Sequence, residues 1–239
     1  MPAAKNTAAE HKPAEHTGAE HAGRGPLSMD ELAAVIGHDI PAGSYVNLGI
    51  GQPTKIADYL PAGEDGSQAV ILHTENGMLG MGPTATGDDI DPDLTNAGKV
   101  PVTELPGAAY FHHADSFAMM RGGHLDVCVL GAYQVAANGD LANWHTGNPD
   151  DIPAVGGAMD LATGAKKVYV MMTLFNKKGE AKLVPRCTYP LTGLACVSRV
   201  YTDYAVFDIQ PAARGVHVLA TYGITLAGLR DRVNVKLLG

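Results

Sequence analysis

Ala69-Val-Ile-Leu-His-Thr-Glu-Asn-Gly-Met-Leu-Gly-Met-Gly-Pro83 is the stretch that decides the fold. Ala69 to His73 is mostly apolar and reads as a buried strand. Polarity then changes abruptly at Thr74-Glu75-Asn76, and Gly77, Gly80 and Gly82 follow. A carboxylate at the end of a buried strand, ahead of backbone that lets a ligand come close, is where open α/β sheets place their chemistry. The same residues have a second reading. Asn-Gly is the strongest short hairpin signal, and Glu75 is then a solvated turn residue.

Upstream, Tyr45-Val-Asn-Leu48 reads as a short strand. Gly49-Ile-Gly51-Gln-Pro53 turns directly into Thr54-Lys-Ile-Ala-Asp-Tyr-Leu60, a helix with proline at its first position. Strand, Gly-x-Gly turn, helix, strand and Glu75 make a βαβ unit. The turn lacks the third glycine of a dinucleotide fingerprint, and no acidic residue follows the next strand at the right distance, so its backbone N–H groups suit some other anion or carbonyl oxygen. Further upstream, Ser28-Met-Asp-Glu31 is a capping box ahead of a helix with Leu32, Val35 and Ile36 as its apolar stripe, ending by Gly37 or within 39–43.

Downstream, strands are expected over 100–105, 124–130, 166–173, 200–209 and 216–220, with an Asn138-Gly139 turn. Helices are expected over 114–121, from Gly156-Gly157, and from Thr225 to Arg232. Strands alternating with short helices give an α/β class, with an open, mixed, mostly parallel sheet flanked by helices in a Rossmann-type architecture. Asp89, Asp91 and Asp93 imitate a calcium loop, but Leu94 and Val100 stand where it needs glycine and glutamate. Asn96-Ala-Gly-Lys99 lacks the glycine and hydroxyl residue of a phosphate-binding loop.

The chain has 239 residues, 46% hydrophobic and 18% charged, enough for a sizeable core over 27–239. Residues 1–26 repeat Ala-Glu-His and carry almost no large apolar side chain, so they are expected to be a disordered tail. The tail histidines recur every five residues and share no helix face for a metal. A net charge of −8 argues against a nucleic-acid surface. Three scattered cysteines form no disulfide framework or zinc site and fit a reducing cytosol. No apolar run approaches the roughly 18 residues of a membrane span. The start has no secretory signal, so a cytoplasmic protein is expected.

The motifs, taken in order, resemble the B (β) subunits of family I coenzyme A transferases. They are Asn47-Leu-Gly-Ile-Gly51 with Pro53, Glu75-Asn-Gly77 with Leu79-Gly-Met-Gly-Pro83, Asn96-Ala-Gly-Lys99, and Ser116-Phe117 with Met120-Arg-Gly-Gly-His124. Leu130-Gly-Ala132, Gly139-Asp-Leu-Ala-Asn-Trp144, Gly156-Gly-Ala-Met-Asp-Leu161 and Pro190-Leu-Thr-Gly193 continue the set. Phe111-His-His-Ala-Asp-Ser-Phe117 and Asn143-Trp-His-Thr-Gly147 are similar to the branch acting on 3-oxoadipate; the ketone-body branch differs at both places. Thr74 departs from the serine common before the glutamate but keeps a hydroxyl.

The resemblance implies a ping-pong reaction between succinyl-CoA and a 3-oxo acid through a glutamyl-CoA thioester on Glu75. CoA is substrate rather than cofactor, and no metal is needed. It implies the Gly157 N–H as an oxyanion donor, and CoA contacts from Asn47, Gly49, Gly51 and Lys99. It also implies a separate A (α) subunit, in an α2β2 assembly. His112, His113 and His145 lie in the branch-specific segments and are candidates for the distal carboxylate of 3-oxoadipate. A succinyl-CoA:acetoacetate or acetate transferase is the alternative. A ligand-binding or sugar-phosphate isomerase relative on the same architecture is an alternative of another class, although the acid/base pair an isomerase needs is not found. Trp144 and the paired methionines read as packing, and Cys128 as an inert strand residue. Arg121 reads equally as an ion pair or a substrate clamp.

Overall fold

The computed structural model describes residues 25–61, 69–150, 152, 154–210 and 215–239. The Ala-Glu-His repeat and the rest of the expected tail up to residue 24 lie outside the described residues.

Helix α1 (Met29–Asp39) starts at Ser28, whose Oγ accepts the Glu31 N–H at 3.2 Å while the Glu31 carboxylate accepts the Ser28 N–H at 2.8 Å. This is the expected capping box, and such caps contribute about 1 kcal/mol. Strand β1 (Tyr45–Leu48) falls where its pattern placed it. The next segment, Gln52–Tyr59, is a 3₁₀ helix and not the expected α-helix. Pro53, Ile56 and Tyr59 recur every third residue, the period that stacks side chains on one face of a 3₁₀ helix. That face lies tight against α1, since a Cβ on Gly37 would sit 2.7 Å from the Tyr59 carbonyl oxygen.

Strands β2 (Ile71–Thr74), β3 (Met78–Thr84) and β4 (Val102–Tyr110) form an antiparallel run after the βαβ unit. β4 extends beyond the expected Leu105 because pairing with β3 carries it from Val102 opposite Thr84 to Tyr110 opposite Met78. Then follow α2 (His113–Arg121), β5 (Val127–Leu130), β6 (Gln134–Ala136), β7 (Leu141–Ala142), α3 (Ala158–Gly164), β8 (Lys167–Met172) and β9 (Leu183–Val184). The Asn138-Gly139 turn joins the antiparallel β6 and β7. The single strand expected over 200–209 is a hairpin of β10 (Val197–Thr202) and β11 (Ala205–Asp208). Thr202 makes that turn with its side chain: Oγ1 accepts the Ala205 N–H at 2.9 Å and donates to the Ala205 carbonyl at 2.7 Å. β12 (Val216–Thr221), α4 (Leu226–Arg232) and β13 (Leu237–Leu238) complete the chain, with Thr225 capping α4 as expected.

Among the described residues the main sheet has ten strands in the order β13-β12-β11-β10-β8-β5-β1-β2-β3-β4. β10, β8, β5, β1 and β2 are parallel neighbours, and antiparallel strands flank them. Both faces are covered, as parallel strands require. Along β5 and β8, Cys128, Leu130, Val168 and Val170 face a core that includes Met120 of α2 and Leu161 of α3. Val127, Val129, Tyr169 and Met171 face the opposite core, with Leu32 and Ile36 of α1 and Ile56 of the 3₁₀ helix. This period-two alternation makes both faces apolar and explains why these strands read as continuous hydrophobic runs. A small sheet of β7, β6 and β9 stands apart.

Candidate active site

Strand β1 lies between β2 and β5, so the chain leaves it on one side and later returns on the other. Beyond the carboxyl end of such a switch point an open sheet leaves a crevice. Here the crevice is a cavity of about 700 Å³ reached by Gly49 after β1, Glu75 after β2 and Gly131 after β5, with Lys99 and Gly157 on its walls.

Glu75, Asn76 and Gly77 make the turn from β2 into the antiparallel β3, so the hairpin reading of Asn-Gly holds. The same turn sets Glu75 on the cavity wall. Gly77 has φ +110°, and a Cβ there would lie 2.1 Å from the Phe111 carbonyl oxygen, so both conformation and space demand glycine. The hydroxyl retained at Thr74 accepts the Met78 N–H at 3.0 Å and closes the turn. The peptides on either side of Glu75 are tied to α2. The Thr74 carbonyl accepts from Ser116 Oγ at 2.9 Å, and the Glu75 carbonyl lies 2.9 Å from His113 Nδ1, which must donate to it.

The Glu75 carboxyl group rests on Gly157, where a Cβ would come within 2.8 Å of Cδ and both carboxyl oxygens. Desolvation in the cavity wall raises the Glu75 pKa; the positive field of His113 opposes this and the negative field of Asp160 adds to it. Arg121 pairs with Asp160 at 2.6 Å and lies over the Phe117 ring, which makes it an ion-pair partner joining α2 to α3.

Among the positions expected to hold CoA, Asn47, Gly49 and Lys99 line the cavity. A Cβ on Gly49 would sit 2.9 Å from Leu130 Cδ2 and 3.1 Å from the Val129 carbonyl oxygen, so β1 and β5 end closely side by side. Lys99 adopts φ +60° in a loop organised by Asn96, whose Oδ1 accepts the Gly98 and Val100 N–H groups at 2.8 and 3.1 Å. Gly51 is not among the cavity-lining residues; at φ +92° its carbonyl accepts from the Thr54 N–H and hydroxyl and starts the 3₁₀ helix.

His112, His113 and His145 do not line the cavity. The His112 ring caps α2 by accepting the Ala114 N–H, His113 meets the Glu75 carbonyl, and His145 accepts the Gly147 N–H. Trp144 is half-buried and donates to the Leu191 carbonyl at 3.2 Å. Cys128 is buried, and burial pushes its thiol well above the ordinary range. Among the described residues no three His, Cys, Asp or Glu side chains gather to hold a metal, and no helix is long and apolar enough to cross a membrane.

Sequence reasoning passed over His73 and gave Ser116 no role. His73 is buried beneath the site, with Nδ1 3.1 Å from Asn47 Nδ2 and Nε2 3.1 Å from Ser116 Oγ. A histidine inside an apolar strand was the only signal, and its partners lie 26 and 43 residues away.

A family profile described as Coenzyme A transferase matches residues 29–223. The B subunit of the 3-oxoadipate CoA-transferase of Acinetobacter baylyi is 62% identical over 185 residues, covering 77% of this chain and 83% of that protein. The B subunit of the probable succinyl-CoA:3-ketoacid coenzyme A transferase of Bacillus subtilis is 49% identical over 198 residues, covering 83% and 85%. Among solved structures, the glutaconate coenzyme A-transferase of Acidaminococcus fermentans superposes with a TM-score of 0.62 at 16% identity, over 91% of this chain and 87% of that one. That likeness concerns the fold alone.

Proposed function

This chain belongs to the coenzyme A transferase family, and we propose that it is the β subunit of an enzyme moving CoA from succinyl-CoA to 3-oxoadipate through Glu75. The observation that carries the reading is the placement of the Glu75 carboxyl group on the cavity wall, against a glycine and between two anchored peptides.

The steps balance without an external acid or base. A Glu75 carboxylate oxygen attacks the thioester carbonyl and expels CoA thiolate, leaving a mixed anhydride. The thiolate attacks the glutamyl carbonyl and releases succinate, leaving a glutamyl-CoA thioester. The carboxylate of the 3-oxo acid then attacks that thioester, and the returning thiolate takes the acyl group and frees Glu75. The desolvation that raises the Glu75 pKa also makes its carboxylate more basic and more nucleophilic. Each attack creates an oxyanion, and the Gly157 N–H is assigned as one donor to it. Asn47, Gly49 and Lys99 are assigned to CoA, Lys99 as a point charge for a phosphate or a carbonyl. No metal or cofactor enters any step.

A separate α subunit is read as completing the site, since the 3-oxoadipate and 3-ketoacid relatives are themselves named as B subunits. An α2β2 assembly in the cytosol is the arrangement proposed. The acceptor is read as 3-oxoadipate because the relatives at 62–63% identity carry that name, against 49% for a 3-ketoacid relative. The test is to purify the chain alone and with an α-type partner and to assay transfer from succinyl-CoA to 3-oxoadipate and to acetoacetate. The reading expects turnover only with the partner and a higher kcat/KM for 3-oxoadipate. Turnover without a partner, or a preference for acetoacetate, contradicts it.

A further inference from the structure

Behind Glu75 lie three buried polar side chains, two of which, His73 and Ser116, the transfer steps leave without a role. Asn47 of β1 and His73 of β2 are each 2% exposed, and Ser116 of α2 is fully buried. Asn47 Nδ2 lies 3.1 Å from the His73 carbonyl oxygen and 3.1 Å from His73 Nδ1. A carbonyl only accepts, so the amide turns its nitrogen to His73, and its second hydrogen reaches a bare Nδ1. The ring proton therefore sits on Nε2, 3.1 Å from Ser116 Oγ. The hydroxyl accepts there and gives its own proton to the Thr74 carbonyl at 2.9 Å. Four groups form a one-way donor chain: Asn47 to His73, His73 to Ser116, Ser116 to the Thr74 carbonyl. That carbonyl belongs to the peptide joining Thr74 to Glu75.

We propose that His73 and Ser116 are positioning residues for the transfer reaction, setting the plane of the Thr74–Glu75 peptide and with it the line along which the Glu75 carboxylate meets the thioester. The proposal rests on Glu75 being the nucleophile. The Thr74 carbonyl also accepts the Gly77 N–H at 3.2 Å, and His113 holds the next carbonyl along, so neither peptide beside the Glu75 Cα can roll. Buried polar groups cost stability relative to a well-packed apolar set, whereas their hydrogen bonds impose direction. Burial lowers the His73 pKa to about 4, so the ring stays neutral and the donor order is kept at neutral pH. The Phe111 ring, stacked at 6.0 Å, holds the imidazole plane.

The experiment uses the enzyme assembled with its α-type partner. Single-turnover formation of glutamyl-CoA from succinyl-CoA is followed by borohydride trapping at Glu75, alongside the KM for succinyl-CoA and Tm. The variants are Ser116→Ala, His73→Phe, His73→Gln and the double variant of the first two. Ser116→Ala and His73→Phe are each expected to slow acylation about ten- to a hundredfold, since small misplacements near a reacting atom cost this much. For Ser116→Ala the KM should move less than about twofold, because Ser116 lines no part of the cavity and touches none of the residues assigned to CoA. The double variant should be no slower than the slower single one, and His73→Gln, which returns an N–H toward Ser116, should recover most of the rate. Folded single variants with wild-type acylation rates, or losses that multiply in the double variant, overturn the proposal. In wild-type enzyme labelled with ¹⁵N-histidine, NMR is expected to show His73 neutral and protonated on Nε2 at pH 6; a charged ring or an Nδ1–H tautomer overturns it without any variant. If the wild-type adduct forms on a residue other than Glu75, the premise fails first and removes the proposal with it.

Discussion

Gly157→Ala probes the geometry around the nucleophile with a single methyl group. Gly157 has ordinary backbone angles, φ −79° and ψ 2°, so alanine is accepted without strain and keeps the N–H assigned to the oxyanion. The added Cβ would lie 2.8 Å from Glu75 Cδ, Oε1 and Oε2. Ordinary contact between such atoms is about 3.5–4.0 Å, so the carboxyl group must retreat by roughly 0.7–1.2 Å. It is the far end of a flexible side chain and moves at little cost to stability. The Cβ of alanine also narrows the φ/ψ range open to the unfolded chain, a gain of about 0.4–1 kcal/mol that offsets part of the crowding. Catalysis has no such tolerance, since a misplacement of about 1 Å costs on the order of a hundredfold. Gly157→Ala is therefore expected to hold its Tm within a few degrees and its KM for succinyl-CoA within about twofold, while kcat falls about a hundredfold. Steady-state transfer assays and a thermal melt measure all three. A variant keeping half of the wild-type kcat would refute the contact between Gly157 and the working carboxylate.

Other perturbations separate the remaining roles. Lys99→Ala is expected to raise the KM for succinyl-CoA about tenfold with little change in kcat, and the penalty should shrink with added salt as a point charge requires; an unchanged KM removes Lys99 from CoA binding. His113→Ala should lower kcat/KM for 3-oxoadipate and acetoacetate by the same factor, because its Nδ1 holds the Glu75 carbonyl common to both reactions; a loss confined to 3-oxoadipate would instead give the ring to the distal carboxylate. The His73 pKa falls from 6.5 unfolded to about 4 folded, so the unfolded chain binds the extra proton as pH drops. Its contribution is full above pH 6.5 and is lost as pH falls toward 4, about 3 kcal/mol over that window. Urea melts of wild type and His73→Phe across this range measure it, and a stability difference independent of pH would show that the ring is not buried neutral.

Local chemistry was the legible part. Ser28 and Glu31 announced α1, Thr225 announced α4, and Tyr45–Leu48 stood out as a strand between glycine-rich turns. Apolar runs gave the parallel centre of the sheet because both of its faces are covered. Asn76-Gly77 marked the hairpin, and the turn that reverses the chain also sets Glu75 on the cavity wall. Features set by distant partners were not legible. The break between β10 and β11 has neither glycine nor proline, because the Thr202 side chain makes the turn. The length of β4 depends on its pairing with β3. His73 looked like one more strand residue because Asn47 and Ser116 reach it only in the fold. The branch-specific histidines stand out in the sequence, yet their Nδ1 atoms serve α2, the Glu75 carbonyl and the turn at Gly147.

The claim on which the rest depends is that Glu75 carries CoA. The direct measurement incubates the assembled enzyme with succinyl-CoA, reduces the adduct with borohydride and maps the modified residue by mass spectrometry, with Glu75→Gln beside it. The account predicts a single reduced residue at Glu75, no adduct in Glu75→Gln, and no transfer by that variant. A label on any other residue, or a Glu75→Gln enzyme that still transfers CoA, would contradict it.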